Sequence, residues 1–452
     1  MPVGIAPARV RRVLRPGRAM ALVLCAAVPV FGLALPAFAQ SSHYADNDLR
    51  AGIAKRADRD LREFYASRGN RPLWIDGSGQ VSPAARTLLD QIDTADFDGL
   101  NRKKLKPGDL AKAIERAEWG GTQDAIRAEL SLSRAFAAYV KGMRAAPRAA
   151  MIYESEALAP VVPTSASALS VAAAAPSLDG YVRAMGWMHP FYAPLREALI
   201  DPSRNEPQRR QVALNLARVR ALPAMAAGRY VLVDAAGARL WTYEDGRVTD
   251  TMKVVVGKPE AQTPMMAGFI RYAIINPYWN IPDDLMPSRV VQPVLAHGVG
   301  HLTAQRLQIL DGWNDDAKVL DPRKVNWRAV AAGTQTIRAR QLPGAANFMG
   351  RVKFMFPNPQ GIYLHDTPER EYLAQAARQH SSGCVRLEDA GRLGRWLMGK
   401  PLPRGLKDPE QRLELPEVVP VYLTYLTAMP ENGQIAFRSD VYGRDGVQLA
   451  AR

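Results

Sequence analysis

The spacing of apolar residues predicts helices in the first half of the chain. Over 46–139 apolar positions recur at intervals of three and four, most regularly in 84–92 and 126–140, which is typical of amphipathic helices. The Arg-Pro-Leu-Trp segment at 71–74 interrupts this pattern and predicts a turn anchored by its aromatic residue. The first half is therefore expected to be a helical domain.

One segment interrupts the helical pattern of the first half. Residues 157–176 are rich in Ala, Pro, Val and Ser and carry almost no charge, so we expect a loosely ordered connector or a hairpin there. Helices are predicted again over 178–200 and 206–222.

From residue 229 the pattern changes to short runs of β-branched and aromatic residues separated by turn residues, which predicts a mainly-β domain. The strand pattern lapses over 283–349, where 290–296 and 303–310 look helical, so this stretch is expected to be an insertion. A helix is predicted over 387–398 and a short edge strand over 434–437. The other predicted strands are 230–233, 239–243, 252–256, 268–275, 352–356, 361–365 and 418–427.

The N-terminus resembles an export signal. Five arginines precede an apolar run over 20–35 that ends in Ala37-Phe38-Ala39, a small-x-small cleavage pattern. We therefore expect residues 1–39 to be a cleaved signal peptide, with an uncleaved anchor as the weaker alternative. The predicted domains are then a helical domain over 40–226, a catalytic domain over 227–428, and a C-terminal strand and tail over 429–452.

Composition narrows the class of partner. The formal charge is +15, and removing the five arginines of the leader leaves +10. A basic exported protein suits an anionic polymer, a cell wall or a membrane surface. Nucleic acid is not expected as a partner, because no nucleic-acid-binding module is recognisable and export argues against it.

The cysteine count singles out one thiol. Of two cysteines, Cys25 lies in the leader, so an exported mature chain retains Cys384 alone. An unpaired cysteine in an oxidising compartment calls for a reason, and it is either a nucleophile or a small buried apolar residue. The polar Ser-Ser-Gly sequence before Cys384 favours the nucleophile.

A nucleophilic thiol needs a base. His365 ends a predicted strand nineteen residues before Cys384, and the intervening loop is long enough to bring the two together. His380 is a weaker candidate, because Ser-Ser-Gly is a poor helix interior and does not place it beside the thiol. His297 and His301 have a spacing that suits a metal, but no third ligand fits, so no metal and no cofactor are expected.

These residues carry a resemblance to a known family. Residues 364–368 (Leu-His-Asp-Thr-Pro) and 381–387 (Ser-Ser-Gly-Cys-Val-Arg-Leu) resemble the signature of L,D-transpeptidases with a YkuD catalytic domain. The likeness extends to 255–259, to Thr263-Pro264 and to 276–282. Ser382 and Asp366 stand where much of the wider family has His and Gly, which is the form of its large periplasmic branch.

The resemblance implies an α+β architecture: a helical scaffold domain, then a mainly-β YkuD-type domain with an inserted capping subdomain at about 283–349. It implies that Cys384 is the nucleophile and His365 the base, oriented by the backbone carbonyl of Asp366. The N–H groups of Gly383 and Cys384, with Tyr363, would hold the oxyanion. Ser382, Arg386 and Trp279 would contact substrate, although Arg386 could equally form a structural pair and Trp279 could equally pack in a core.

The implied activity is formation of 3-3 peptidoglycan crosslinks, through a thioester on a tetrapeptide stem and release of D-alanine. Inhibition by carbapenems, location in the periplasm and association with other wall synthases follow from the same resemblance. Two alternatives stay open. The acyl-enzyme could serve protein attachment, D-amino acid exchange or hydrolysis, or the protein could be a noncatalytic wall-binding scaffold.

Overall fold

The computed structural model describes residues 41–76, 79–146, 148–224, 228–314, 316–403 and 408–450. The predicted signal peptide lies outside the described residues. None of the helices within these ranges is long and apolar enough to cross a membrane.

The first half of the chain is helical, as the sequence predicts. Its helices pack around one apolar core that includes Trp74, Phe136 and Tyr139. One two-residue strand, β1 (Ile152–Tyr153), leaves this region to pair with the sheet described below. The helices are α1 (Ser41–Arg56), α2 (Arg59–Ser67), α3 (Pro83–Asp93), α4 (Arg102–Leu105), α5 (Pro107–Trp119), α6 (Thr122–Ala145), α7 (Ser165–Ala174), α8 (Leu178–Arg183), α9 (Tyr192–Ile200) and α10 (Glu206–Val219).

A buried carboxylate holds the predicted turn at 71–74. Glu129 on α6 is fully buried and accepts hydrogen bonds from the backbone N–H groups of Leu73, Trp74 and Ile75 at 2.7–3.0 Å. The Tyr65 hydroxyl donates to the same carboxylate at 2.6 Å. Because a buried carboxylate is tolerated only when its oxygens are hydrogen-bonded, this loop and Glu129 depend on each other.

The second half forms a sheet that closes on itself, because β14 pairs with β2 on one side and with β5 on the other. Along the closed path the order is β5-β10-β11-β13-β4-β3-β2-β14. It is accompanied by helices α14 (Glu371–Ala374), α15 (Ala390–Met398) and, near the C-terminus, α16 (Arg444–Ala450). The strands are β2 (Arg229–Asp234), β3 (Arg239–Glu244), β4 (Arg247–Gly257), β5 (Met266–Ile275), β10 (Val352–Met355), β11 (Leu364–His365), β12 (Gln379–Ser381), β13 (Val385–Leu387) and β14 (Gln411–Thr424).

The predicted insertion is a separate small unit. It has its own apolar core, which includes Ile281, Val290 and Ile309, and its own sheet in the order β6-β9-β7-β8. Its elements are β6 (Trp279–Asn280), α11 (Gln292–His297), α12 (Gly300–Ala304), β7 (Leu307–Leu310), β8 (Val319–Leu320), α13 (Trp327–Ala331) and β9 (Arg338–Gln341), with a short π-helical segment at Pro287–Val291.

The C-terminal strands do not join the large sheet. The predicted strand over 434–437 is present as β16 (Gln434–Phe437), but it pairs with β15 (Ala428–Glu431) in a separate hairpin. Leu426, Ala428 and Met429 are buried in the helical domain's core, with Phe437 packed against it. The chain thus returns to its first domain after completing the sheet.

Four local predictions were wrong. Residues 157–176 contain helix α7, whose first turn is capped by the Thr164 side chain accepting from Ser167 N–H at 3.1 Å. Residues 307–310 form a strand because they pair with β9. The strand expected over 361–365 covers only its last two residues. The helix expected from 387 begins at 390, where Asp389 caps it, because 385–387 belong to β13.

Candidate active site

The candidate base lies in one of two short parallel strands, and the candidate nucleophile directly precedes the other. In β11 and β13, Leu364 lies opposite Val385 and His365 opposite Arg386. Leu364 and Val385 are buried in the apolar core of the sheet. Because side chains alternate along a strand, His365 projects from the opposite face. Cys384 directly precedes β13, so it lies at the start of the strand that pairs with the His365 strand.

The hydrogen bond from Val385 N–H to the Tyr363 carbonyl, 2.9 Å, continues the pairing as far as the nucleophile. The sequence prediction that the loop brings Cys384 to the strand end of His365 therefore agrees with the topology.

His365 is oriented by the backbone, as the resemblance implied. Its ring nitrogen Nδ1 lies 2.6 Å from the carbonyl oxygen of Asp366. A carbonyl can only accept, so Nδ1 carries the proton and Nε2 keeps its lone pair. The ring is 2% exposed, and burial lowers the pKa of His365 from 6.5 to about 3, helped by the positive charge of Arg386. At neutral pH His365 is therefore a neutral imidazole with an available basic nitrogen.

Cys384 is half-buried, and its thiol lies 3.6 Å from the Gly361 carbonyl oxygen, to which it donates. Burial raises the pKa of this thiol from 9.0 to about 11, although the Tyr363 backbone N–H and the charge of Arg386 oppose the rise. The resting pair is thus a thiol and an imidazole, both neutral. Such a pair reacts only if the proton leaves the sulfur as the sulfur attacks, which is the task of a general base.

The turn before the nucleophile is fixed by a serine. Gly383 has φ +110°, a conformation that favours glycine. Its N–H donates to Ser381 Oγ at 3.2 Å, and the Ser381 hydroxyl donates in turn to the Cys384 carbonyl at 2.6 Å. The amide of Gly383, expected to contact an oxyanion, is therefore already occupied. Within the described part of the chain, the Cys384 N–H has no acceptor, so it is the amide available to a developing oxyanion.

Comparison with known proteins identifies two domains. The family model for an L,D-transpeptidase catalytic domain matches residues 228–409, and the model for a scaffold domain matches residues 59–199. A Haemophilus influenzae protein, provisionally named as an L,D-transpeptidase, is 27% identical over 406 residues, which cover 85% of this chain and 78% of that protein.

The chain thus contains a match to the L,D-transpeptidase catalytic domain, preceded by a match to the scaffold domain. Its fold is a helical scaffold domain followed by a mainly-β YkuD-type domain, α+β overall.

Solved structures of L,D-transpeptidases are also similar to parts of the chain. One from Mycobacterium smegmatis is 13% identical with a TM-score of 0.23, and covers 44% of this chain and 59% of its own. One from Enterococcus faecium is 13% identical with a TM-score of 0.21, and covers 43% of this chain and 49% of its own. The chain thus spans about half the length of these structures.

The side chain of Asp366 has a structural task. One carboxylate oxygen accepts from the Arg351 backbone N–H at 2.9 Å, and the other accepts from Arg370 at 2.7 Å. Gly350 packs so closely here that a Cβ would lie 2.5 Å from the Asp366 side chain. The carboxylate therefore fixes the segment after His365, while its backbone carbonyl orients the ring.

Arg386 has the structural role that the sequence left as one of two alternatives. Its guanidinium forms an ion pair with Glu369, and the side chain is largely buried beside Tyr372. Glu369 was not singled out from the sequence, since a lone Glu directly after the 364–368 motif gives no signal. The positive charge of Arg386 still lowers the pKa values of both His365 and Cys384.

The other two candidate substrate residues lie in different settings. Ser382 is exposed in the turn between Ser381 and Gly383. Trp279 belongs to the insertion, where its ring lies 4.7 Å from that of Phe348 and lines a cavity of about 230 Å³. Trp279 thus packs within the insertion, although one side of its ring faces a cavity.

His380, the weaker candidate for the base, makes other contacts. His380 stacks on Tyr372 at 4.6 Å and is exposed, with Nε2 3.1 Å from the Ala377 carbonyl oxygen. Among the residues that the structure describes, no group of three or more His, Cys, Asp or Glu side chains is placed to hold a metal ion.

A cleft lies beside the segment that follows His365. It has a volume of about 950 Å³, and its lining includes Asp366, Arg370, Arg351 and Arg395. Neither His365 nor Cys384 is among the described residues that line it. Because volume alone does not locate chemistry, the strand pairing, rather than this cleft, defines the candidate active site.

Proposed function

We propose that this protein is an exported L,D-transpeptidase that forms 3-3 crosslinks in peptidoglycan through a thioester on Cys384. The observation that carries the proposal is the parallel pairing of the strand that contains His365 with the strand that directly follows Cys384, together with the hydrogen bond between His365 Nδ1 and the Asp366 carbonyl. That arrangement leaves Nε2 as a base beside a thiol, which is the requirement for covalent acyl transfer.

The first half-reaction forms the thioester. Cys384 Sγ attacks the carbonyl carbon of the third residue of a tetrapeptide stem while His365 Nε2 takes the thiol proton. The Cys384 N–H donates a hydrogen bond to the oxyanion that develops. When the tetrahedral intermediate collapses, the C–N bond to the terminal D-alanine breaks, and the imidazolium gives its proton to the departing amine.

The second half-reaction releases the product. An amine of a neighbouring stem attacks the thioester carbonyl and loses its proton to His365 Nε2. The C–S bond then breaks and the sulfur takes the proton back, which regenerates the neutral thiol and imidazole. If water replaced the amine, the result would be hydrolysis, so the acceptor decides the outcome.

Cellular context is part of the same proposal. The arginine-rich, apolar leader over 1–39 supports export to the periplasm, and the basic remainder of the chain suits an anionic wall. Peptidoglycan stem peptides are the proposed substrates, carbapenems the proposed inhibitors, and other wall synthases the proposed associates.

Mass spectrometry of the intact protein tests the chemistry. The purified protein, mixed with a carbapenem or with a tetrapeptide muropeptide, is expected to gain one covalent adduct, and Cys384→Ala is expected to gain none. An adduct that survives Cys384→Ala would refute the nucleophile. Chromatography of the muropeptide products then separates the outcomes, because crosslinked dimers support transpeptidation, whereas tripeptides without dimers would show hydrolysis.

A further inference from the structure

The C-terminal segment, residues 425–450, lies beyond the matched catalytic domain but reaches back to a loop behind the nucleophile. The Tyr442 hydroxyl donates to the Gly257 carbonyl at 2.5 Å, and Gln262 Nε2 donates to the Tyr442 carbonyl at 3.0 Å. Arg444 adds two hydrogen bonds, from Nε to Gln262 Oε1 and from Nη2 to the Thr263 carbonyl, both 2.9 Å. Both ends of the loop 257–263 are thus held by this segment.

Arg444 is itself held in place by aromatic rings. Its guanidinium lies 5.1 Å from the ring of Tyr425 and 4.9 Å from that of Tyr442, and the two rings stack on each other at 4.9 Å. Such cation–π contacts strengthen when the cation is withdrawn from water. Burial accordingly lowers the pKa of Arg444.

Thr263 connects this loop to the nucleophile. It is fully buried, and its hydroxyl donates to the Gly383 carbonyl at 2.7 Å while accepting from the Gly257 N–H at 2.9 Å. The Gly383 carbonyl and the Cys384 N–H belong to one peptide unit. Because that unit is planar and trans, its C=O and N–H point in opposite directions. Holding the oxygen therefore aims the Cys384 N–H, the amide available to an oxyanion.

The other side of the C-terminal segment is attached to the scaffold domain. Asp445, the residue after Arg444, forms an ion pair of 2.7 Å with Arg218 on α10, whose side chain is 1% exposed. Thr427 exchanges hydrogen bonds of 2.9 Å with Asn215 on the same helix. Consecutive residues thus attach the segment to the catalytic loop and to the scaffold.

We propose that the C-terminal segment positions the oxyanion-binding amide: Arg444 holds the 257–263 loop, and Thr263 in that loop orients the Cys384 N–H. Thr263 and Arg444 are positioning residues that do not touch substrate. The inference rests on the proposed function, since it concerns the thioester-forming step. It also assigns the scaffold domain a part in catalysis, because Arg218 anchors the segment that carries Arg444.

Two reactions of the Cys384 thiol distinguish a misplaced oxyanion-binding amide from a general disturbance of the structure. Acylation by a carbapenem builds an oxyanion, whereas alkylation by iodoacetamide displaces iodide and builds none. For Thr263→Val and Arg444→Met, the limiting rate of carbapenem acylation is expected to fall about tenfold to a hundredfold. Alkylation is expected to stay within about threefold of the wild type, an order-of-magnitude allowance for small shifts of the sulfur.

Conservative and matched variants complete the test. Thr263→Ser, which keeps the hydroxyl, is expected to recover most of the acylation rate. Arg438→Met serves as the control for stability, because Arg438 lies in the same segment and pairs with Asp234 and Glu431 without contacting the 257–263 loop. It is expected to acylate at the wild-type rate.

Three results would overturn the inference: unchanged acylation in Thr263→Val, equal loss of acylation and alkylation, or an equal loss of acylation in Arg438→Met. A wild-type protein that is alkylated but never acylated would refute the proposed function, and the inference with it.

Discussion

The scaffold and the catalytic site both bury polar groups, but they differ in whether every donor and acceptor of those groups has a hydrogen-bond partner. In the scaffold, the carboxylate of Glu129 is met by one hydroxyl and three amides, and that of Asp98 by Tyr139, Tyr192 and Arg196. In the catalytic site, His365 uses one ring nitrogen and leaves Nε2 available, and the Cys384 N–H has no acceptor within the described part of the chain.

This difference separates stability from chemistry. A buried polar group whose hydrogen-bond partners are all present makes the fold more rigid, and its removal lowers the free energy of unfolding strongly. A buried polar group with one unused donor or acceptor lowers the stability of the fold somewhat, but that donor or acceptor can bind a reacting atom. Substitutions in the two regions should therefore affect different measurements.

The largest effect is expected at His365. His365→Ala removes the base beside a thiol that is protonated at neutral pH, so the rate of acylation should fall about a thousandfold. Stopped-flow measurement of carbapenem acylation gives this rate directly. His380→Ala is the matched control, because His380 stacks on Tyr372 outside the site, and it should keep most of the wild-type rate. The reverse result would assign the base to His380.

A large effect on stability, with little on chemistry, is expected at Glu129. Glu129→Ala leaves three backbone amides, two of them buried, without an acceptor and removes one of the two partners of the Tyr65 hydroxyl, so the free energy of unfolding should fall by about 3 kcal/mol or more. Denaturant unfolding measures this loss. The acylation rate per folded molecule should remain close to that of the wild type.

If Glu129→Ala does not fold, Ser133→Ala is the milder variant, because Ser133 accepts from Trp74 Nε1 at 2.9 Å and also bonds Tyr65 at 2.7 Å. A loss of acylation in step with stability would show that the two regions are not separable.

A smaller, pH-dependent effect is expected where the two domains meet. His189 of the scaffold is fully buried against Tyr230 and Tyr243 of the sheet, and burial lowers its pKa to about 3. The unfolded chain takes up a proton on this residue below about pH 6.5, whereas the folded chain does not until about pH 3. Stability should therefore fall as the pH falls through this window.

His189→Asn keeps an acceptor for the Phe191 N–H and cannot be protonated. Between pH 7 and 4.5 it should lose about 2 kcal/mol less unfolding free energy than the wild type, since one proton contributes about 1.4 kcal/mol per pH unit. Unfolding curves at both pH values measure this difference, and equal losses in the two proteins would contradict the buried, neutral state of His189.

Sequence patterns predicted the parts of the fold that local chemistry determines. Amphipathic spacing gave the helices around Trp74 and Phe136, and β-branched runs gave most strands of the large sheet. Predictions failed where distant pairing decides the structure. Residues 307–310 look helical but pair with β9, and 434–437 pairs in a hairpin on the scaffold rather than on the large sheet. Neither partner can be found from spacing alone.

For the candidate site, too, features that depend on residue type or local sequence were predicted, and features that depend on distant contacts were not. Cys384 and His365 were found from residue type and sequence position, and the orienting carbonyl of Asp366 was implied by the family resemblance and is present at 2.6 Å. The occupied amide of Gly383 was not foreseen, because it depends on the rotamer of Ser381. Thr263 was noticed as part of a motif without a role, and Arg444 gave no signal, because their contacts cross more than a hundred residues of chain.

The most direct measurement is the location of the acyl group during reaction with a tetrapeptide muropeptide. The reaction is quenched in acid and digested with trypsin, and the peptide spanning 379–386 is fragmented by tandem mass spectrometry. We predict that the tripeptide stem is attached to Cys384 and that one D-alanine is released per acyl-enzyme. Attachment to Ser381 or Ser382, or release of D-alanine without any bound stem, would contradict the account.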